Sequence, residues 1–265
     1  MKMLWHGSLV FELVTIPIRL YRATRERRVP LRMLHEPDRS TIRLVKYCAE
    51  EGKPVPDDEV VRGYEAEEGW VVLTPAELEA AAPELTRAIE IREFVDAHEV
   101  DSIYYRQPYY LAPGDGGEEL YVMLREAIRR SGKVGVVEFV LLQRQHLAIL
   151  RPRGEALVLE TLHYPEELID ERELALPGTT RLREGDIRMA VELIERRSSR
   201  PFEITKYRNR YRERILELIG AKSAGRVPAE LVPPAEPAPT SVIDLTRRLQ
   251  ESLERARREG ERRAA

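Results

Sequence analysis

Residues 133–162 read "KVGVVEFVLLQRQHLAILRPRGEALVLETL". Three runs rich in Val, Ile and Leu are separated by Gln143-Arg144 and by Pro152-Arg153-Gly154-Glu155. Each run has the length of a strand, and each break carries turn-forming residues. The pattern predicts an antiparallel meander, apolar enough to be buried on both faces over part of its length. Its turn tips carry Arg144, Arg151 and Arg153. Immediately upstream, "GGEELYVMLREAIRRSG" (116–132) places Leu120, Leu124 and Ile128 at helical spacing with Gly132 as a stop. Further upstream, "TRAIEIREFV" (86–95) alternates as a strand, and "PYYLAP" (108–113) reads as a brief extended piece.

Toward the other end, the chain opens "MKMLWHGSLVFELVTIPIRLYRATRERRVPLRML" (1–34). The opening is not expected to be an export signal. Glu12 sits inside the apolar run, His6, Gly7, Ser8, Thr15 and Pro17 interrupt it, and no small-residue cleavage site follows. Nor does any stretch offer the roughly 20 apolar residues of a membrane span, so a cytoplasmic protein with no membrane partner is expected. The residues alternate instead: Leu9, Phe11 and Leu13 on one face, then Ile16, Ile18 and Leu20 after a shift placed at Pro17. That is a strand or a bent strand pair, with Pro17 at the bend or on an edge. Arginines then crowd in. Arg19, Arg22, Arg25, Arg27, Arg28 and Arg32 lead into "PLRMLHEPDRSTIRLVKYC" (30–48), two extended runs joined at Pro37-Asp38-Arg39-Ser40 and decorated by Arg39, Arg43 and Lys46. A solvated loop and a phosphate-facing surface both fit such a run. "VVRGYEAEEGWVVL" (60–73) reads as a second hairpin, and Thr74-Pro75-Ala76-Glu77 as the capped start of a short helix.

The 265 residues suffice for one large domain or two small ones, and 43% apolar content supports a core. The net charge of −3 conceals segregation: residues 1–48 hold 10 Lys/Arg against 4 Asp/Glu, whereas residues 49–124 hold 5 against 19. A basic segment on an acidic chain points to one phosphate-facing surface and another that repels polyanions. Cys48 is the only cysteine, so neither an intramolecular disulfide nor a cysteine-built metal site can form within one chain. The five histidines are scattered without ligand spacing. No catalytic constellation is present: Gly114-Asp115-Gly116-Gly117 lacks the order of a phosphate-binding loop, and no G-x-S-x-G occurs. The expectation is a non-enzyme without metal or cofactor.

From Asp186 the pattern turns helical. "DIRMAVELIERR" (186–197) stripes Ile187, Val191 and Ile194, and "YRNRYRERILELIGAK" (207–222) places Tyr207, Tyr211, Ile215 and Leu218 about a turn apart. Such an arm packs either on its own sheet or on a partner subunit. "GRVPAELVPPAEPAPT" (225–240) is a semi-rigid Pro/Ala linker. "SVIDLTRRLQESLERARR" (241–258) opens with a Ser241-to-Asp244 capping box and carries Val242, Leu245, Leu249 and Leu253 on a narrow stripe. An isolated helix this short is marginal in water, so it either docks on a partner or stays a soluble tail.

In order, "LWHGSLVFELVTIPIRLYRAT", "VVRGYE" with "WVVLTPAEL", "IEIREFV", "IYYRQPYYLAP", the meander, "PFEITKYRNRYRERILELI", the Pro/Ala linker and "VIDLTRRLQESL" resemble the prokaryotic Ku family of bacterial non-homologous end joining, over almost the whole chain. The resemblance implies a β-rich α+β fold: a Ku-type β-barrel core with an extended bridge and a C-terminal helical arm, in a ring-shaped homodimer. It implies binding of double-stranded DNA ends without sequence preference, and recruitment and stimulation of ATP-dependent DNA ligase D. The implied divisions are 1–185 for barrel and bridge, 186–223 for the dimerisation arm, 224–240 for the linker, and 241–265 for the ligase-recruiting helix and short basic tail. Arg19, Arg22, Arg25, Arg27, Arg28, Arg32, Arg39, Arg43 and Lys46, then Arg144, Arg151 and Arg153, are the candidate DNA-lining residues. Tyr207, Tyr211, Ile215 and Leu218 are the candidate dimer contacts, and Val242, Ile243, Asp244, Leu245, Leu249 and Leu253 the candidate ligase contacts. Several members of this family carry Cys-x-x-Cys where this chain has Cys48-Ala49-Glu50-Glu51, so a zinc role does not carry over. A sequence-specific DNA-binding regulator and a purely protein-binding scaffold are the competing classes.

Overall fold

A computed structural model describes residues 1–81, 83, 86–178, 183–198, 201–226, 251, 252 and 254. They fall into two compact units: Met1–Arg27 with Leu31–Glu171, and Arg28–Pro30 with Arg172–Ala265.

The opening stretch forms a hairpin of β1 (Met3–Phe11) and β2 (Val14–Arg22). The reversal lies at Glu12-Leu13, where Glu12 takes φ 50° and Leu13 points into solvent. The two-residue loop requires a positive φ and resets the face of the alternation. The bend expected at Pro17 is therefore misplaced. Pro17 lies inside β2, opposite Ser8, and its carbonyl accepts from Gly114 N at 2.7 Å. In an antiparallel strand a residue's N and C=O face the same side, so the missing N–H faces the end of the neighbouring strand and no ladder bond is lost.

After a small hairpin of β3 (Arg62–Ala66) and β4 (Gly69–Leu73) comes α1 (Pro75–Ala80). Its expected capping box is present: Glu77 N donates to Thr74 Oγ1 at 3.2 Å, and Thr74 N donates to Glu77 Oε2 at 2.8 Å. The remaining strands are β5 (Ala88–Asp96), β6 (Tyr105–Pro113), β7 (Lys133–Leu141), β8 (Arg144–Arg153) and β9 (Ala156–Leu162). The piece read as a brief "PYYLAP" is thus a nine-residue strand. Seven strands close a barrel in the order β1-β2-β6-β9-β8-β7-β5. Every pairing is antiparallel except the closing seam, where β1 and β5 run parallel from Ser8↔Ala88 to Val10↔Glu90.

The predicted meander is β7–β8–β9, covered on both faces as its composition required. Val137, Phe139, Ala148, Leu150, Leu157 and Leu159 join Leu9, Ile16, Ile18, Leu20, Ile89 and Leu111 in the main core. On the opposite face Val134, Ile149 and Leu162 pack with Val95, Val100 and Tyr104, from the end of β5 and the short helical turns that follow it. The main core also takes in Tyr121, Leu124 and Ile128 of α2 (Glu118–Ser131), which ends on Gly132 in the left-handed region at φ 69°. Leu120, assigned to that stripe from its spacing, stays 39% exposed; Tyr121 takes the buried place. The Tyr121 hydroxyl explains why. It donates to Leu111 O and accepts from Leu157 N, both at 2.7 Å, tying α2 to β6 and β9. Its removal would leave two buried backbone groups unpaired, at about 1–3 kcal/mol each.

The second unit contains α3 (Glu184–Arg197) and α4 (Arg210–Ser223). Among its described residues, neither helix has a fully buried side chain. Tyr207 precedes α4, so it is no part of the helical stripe drawn through it; its ring lies 6.0 Å from that of Phe202. Asn209, which caps α4 through Arg212 N at 3.0 Å, sets the boundary. The six residues of the tail stripe, Val242, Ile243, Asp244, Leu245, Leu249 and Leu253, lie outside the described residues.

Candidate nucleic-acid interface

Between β2 and β3 the chain runs for some forty residues with almost no regular pairing. Two isolated bridges, Leu34↔Thr41 and Tyr47↔Pro54, are its only ladder contacts among the described residues. The turn expected at 37–40 forms. His35 N donates to Ser40 O at 2.8 Å, and Asp38 Oδ1 accepts from Ser40 N at 3.0 Å and meets His35 Nδ1 at 2.9 Å. These bonds hold the Asp38 carboxyl below the usual carboxylate range, the Ser40 backbone N–H contributing most. The expected flanking strands do not extend beyond the bridge. Leu31, Leu44, Val45 and Tyr47 are exposed, so no sheet face rewards their alternation.

The arm presents its cations to solvent. Arg32, Arg39 and Arg43 are exposed and have no carboxylate partner among the described residues. Lys46 differs: it pairs with Asp57 at 2.8 Å and pulls that carboxyl below its ordinary range. At the root of the arm, Lys2, Arg22, Arg25 and Arg27 gather with Thr24 and Gln107 around a cleft of about 750 Å³. Lys2 was not among the sequence candidates. It lies far from the arginines in sequence, and only the antiparallel return of β2 along β1 brings it there. Arg28 is grouped with the second unit.

The barrel candidates sort differently. Arg19 is turned toward Asp115, whose hydrogen bond raises its pKa further above an already high value. Arg151, read as a turn tip, lies within β8 and grips Glu160 through two bonds at 2.8 and 2.7 Å. Arg153 donates to Tyr110 Oη at 3.3 Å, and Arg144 is exposed where β8 begins. Since β8 spans ten residues, Arg144 and Arg153 stand about 30 Å apart and on opposite faces, so the three meander arginines form no single patch. Two arginines of α2 have structural roles: Arg125, only 8% exposed, donates to Glu155 O at 2.6 Å, and Arg129 donates to Gly154 O, fastening the β8–β9 turn.

The only thiol sits in a tight turn, where Cys48 N donates to Lys53 O at 2.9 Å and Gly52 N to Cys48 O at 3.0 Å. The backbone N–H groups of Glu51 and Glu50 hold the thiol below its ordinary pKa. With Glu51 where a second cysteine would be needed, the turn offers a single sulfur donor, which does not fit a cysteine-built zinc site. Among the described residues no group of three His, Cys, Asp or Glu side chains could hold a metal ion. No helix there is long and apolar enough to cross a membrane.

A closed seven-stranded barrel of this order, with a long irregular insertion after its second strand that is basic only in its first half, defines a class of β-barrel domain. The Ku70/Ku80 beta-barrel domain family model matches residues 10–189. The non-homologous end joining protein Ku of Bacillus subtilis (strain 168) is 37% identical over 261 residues, covering 97% of this chain and 83% of that protein. Its namesake from Anaeromyxobacter sp. (strain K) is 38% identical, with 98% and 88% covered. That of the archaeon Archaeoglobus fulgidus is 35% identical, with 85% and 90% covered. The chain belongs to the Ku family.

Proposed function

We propose that this protein binds double-stranded DNA ends without sequence preference, as a homodimeric ring in non-homologous end joining, and catalyses no reaction itself. The observation that carries the reading is the arm between β2 and β3: it is exposed, irregular, and holds Arg32, Arg39 and Arg43 free of carboxylate partners among the described residues. Unpaired guanidinium groups on an extended arm suit sugar-phosphate contact, which positions a duplex without reading its bases. The relatives' names supply the biological setting. Homodimerisation is supported by unsatisfied apolar surface. Tyr64, Trp70, Val71 and Val72 of the β3–β4 hairpin are at least half exposed, and Tyr211, Leu216 and Ile219 of α4 are exposed as well. The proposed division keeps 1–185 for barrel and bridge, 186–223 for dimer contact, 224–240 as linker and 241–265 for recruitment of ligase D. On this reading the protein acts at chromosomal ends, in the nucleoid.

A closed ring loads only where the duplex ends. Retention is therefore expected to be severalfold higher on linear than on covalently closed circular DNA of equal length, with two chains per short duplex by mass. Equal retention on both, or a single chain on DNA, overturns the reading. Removal of residues 241–265 is expected to abolish stimulation of the ligase while end binding persists; loss of end binding on that truncation would reassign the tail to DNA.

A further inference from the structure

The cleft at the root of the arm has a shape that the arm itself lacks. It is a half-open cleft of about 750 Å³, within the range of pockets that hold one small ligand. Four cations, Lys2, Arg22, Arg25 and Arg27, line it against one carboxylate, Glu26, for a net charge of +3. The wall also offers a neutral donor. Gln107 donates its amide hydrogens to Thr24 Oγ1 at 2.8 Å and to Pro108 O at 3.3 Å. With its oxygen accepting, the Thr24 hydroxyl has its proton free to give into the cleft. Ala23 N donates to Pro108 O at 3.3 Å, so the donor is fixed to β6 rather than carried on a free loop. Leu4 adds an apolar wall where a sugar or base can rest.

We propose that this cleft seats the terminal phosphate monoester of a DNA strand, so that the protein reads the chemistry of the end it holds. The inference rests on the end-binding reading above. A backbone phosphodiester carries one negative charge and is tethered to a sugar on either side. A terminal monoester carries about −1.5 to −2 charge at neutral pH, three acceptor oxygens and a single tether. That charge and geometry match several converging cations and a hydroxyl donor.

The test uses the full chain and duplexes with one end sealed by a hairpin loop. The open end carries a 5′-phosphate, a 3′-phosphate or hydroxyls only. One phosphorylated end is expected to bind at least about 5-fold more tightly than the hydroxyl end, the factor an extra unit charge near a cation gives in a water-like dielectric. Which end wins identifies the strand that reaches the cleft. The double variant Arg22→Gln, Arg25→Gln is expected to bring that ratio to about 1, whereas Arg43→Gln, on the arm, lowers both affinities and keeps the ratio. Equal binding of all three ends by the unaltered chain overturns the proposal, as does a double variant that weakens all ends alike while the ratio survives. Neither result touches the parent reading, which stands or falls on the comparison of linear with circular DNA.

Discussion

Replacing Gly7 with valine is expected to lower the melting temperature of the barrel unit by roughly 6–12 °C. Gly7 lies on β1 beside the parallel seam with β5, and a Cβ there would overlap the Arg87 carbonyl oxygen and the Trp5 ring. The carbonyl cannot swing aside, because it accepts from Ser8 N at 2.8 Å as the first bond of the seam. Only three residue pairs make that seam, and its middle pair, Leu9 and Ile89, is completely buried. Backing β1 away would therefore open the barrel at its shortest pairing and expose two core residues. Overpacking against fixed backbone costs about 3 kcal/mol at the upper end of its range, and a unit of this size loses about 2–4 °C per kcal/mol. Gly220→Ala, within α4 and with nothing near the added methyl, is the contrasting case; there the helix gains about 0.5–1 kcal/mol from propensity. Thermal unfolding followed by circular dichroism separates the two. A Gly7→Val protein melting within a degree of the unaltered chain would show that β1 has slack at the seam.

The seam also marks the limit of what the residues revealed. The meander, the capping box of α1 and the left-handed stop at Gly132 are local devices, and each was legible because its partners lie within a few positions. The reversal at Glu12-Leu13 was missed because neither residue is a usual turn former; the hairpin imposes the positive φ on a glutamate. The pairing of β1 with β5 joins Ser8 to Ala88, a separation no periodicity encodes. The site divides in the same way. The basic run that holds Arg32, Arg39 and Arg43 could be read directly, but that Asp38, next to Arg39, turns to His35 and Ser40 instead could not. The engagement of Arg19 by Asp115 and of Lys46 by Asp57 could not, since those carboxylates lie 96 and 11 residues away. Lys2 escaped notice for the same reason.

That distinction between paired and unpaired cations has a measurable consequence. The triple substitution Arg32→Gln, Arg39→Gln, Arg43→Gln is expected to weaken end binding about 100-fold near 0.1 M salt, taking about 5-fold for each exposed cation that meets a phosphate. The slope of log K against log salt should become shallower by about 2.7, or 0.9 for each phosphate no longer neutralised. Stability should hardly change, since all three side chains are exposed and without carboxylate partners among the described residues, and such surface changes stay within about 0.5 kcal/mol. Arg151→Gln should behave in the opposite way. Its guanidinium is held by Glu160 on the barrel wall, so its loss strands a carboxylate that is 18% exposed and costs stability while the salt slope stays the same. Because contacts of this kind carry no base information, the triple variant should lose the same factor on every duplex sequence. A loss confined to one sequence would point to base readout by the arm. An unchanged salt slope would move the phosphate-facing surface off the arm, and the cleft around Arg22 would then be the first place to look for it.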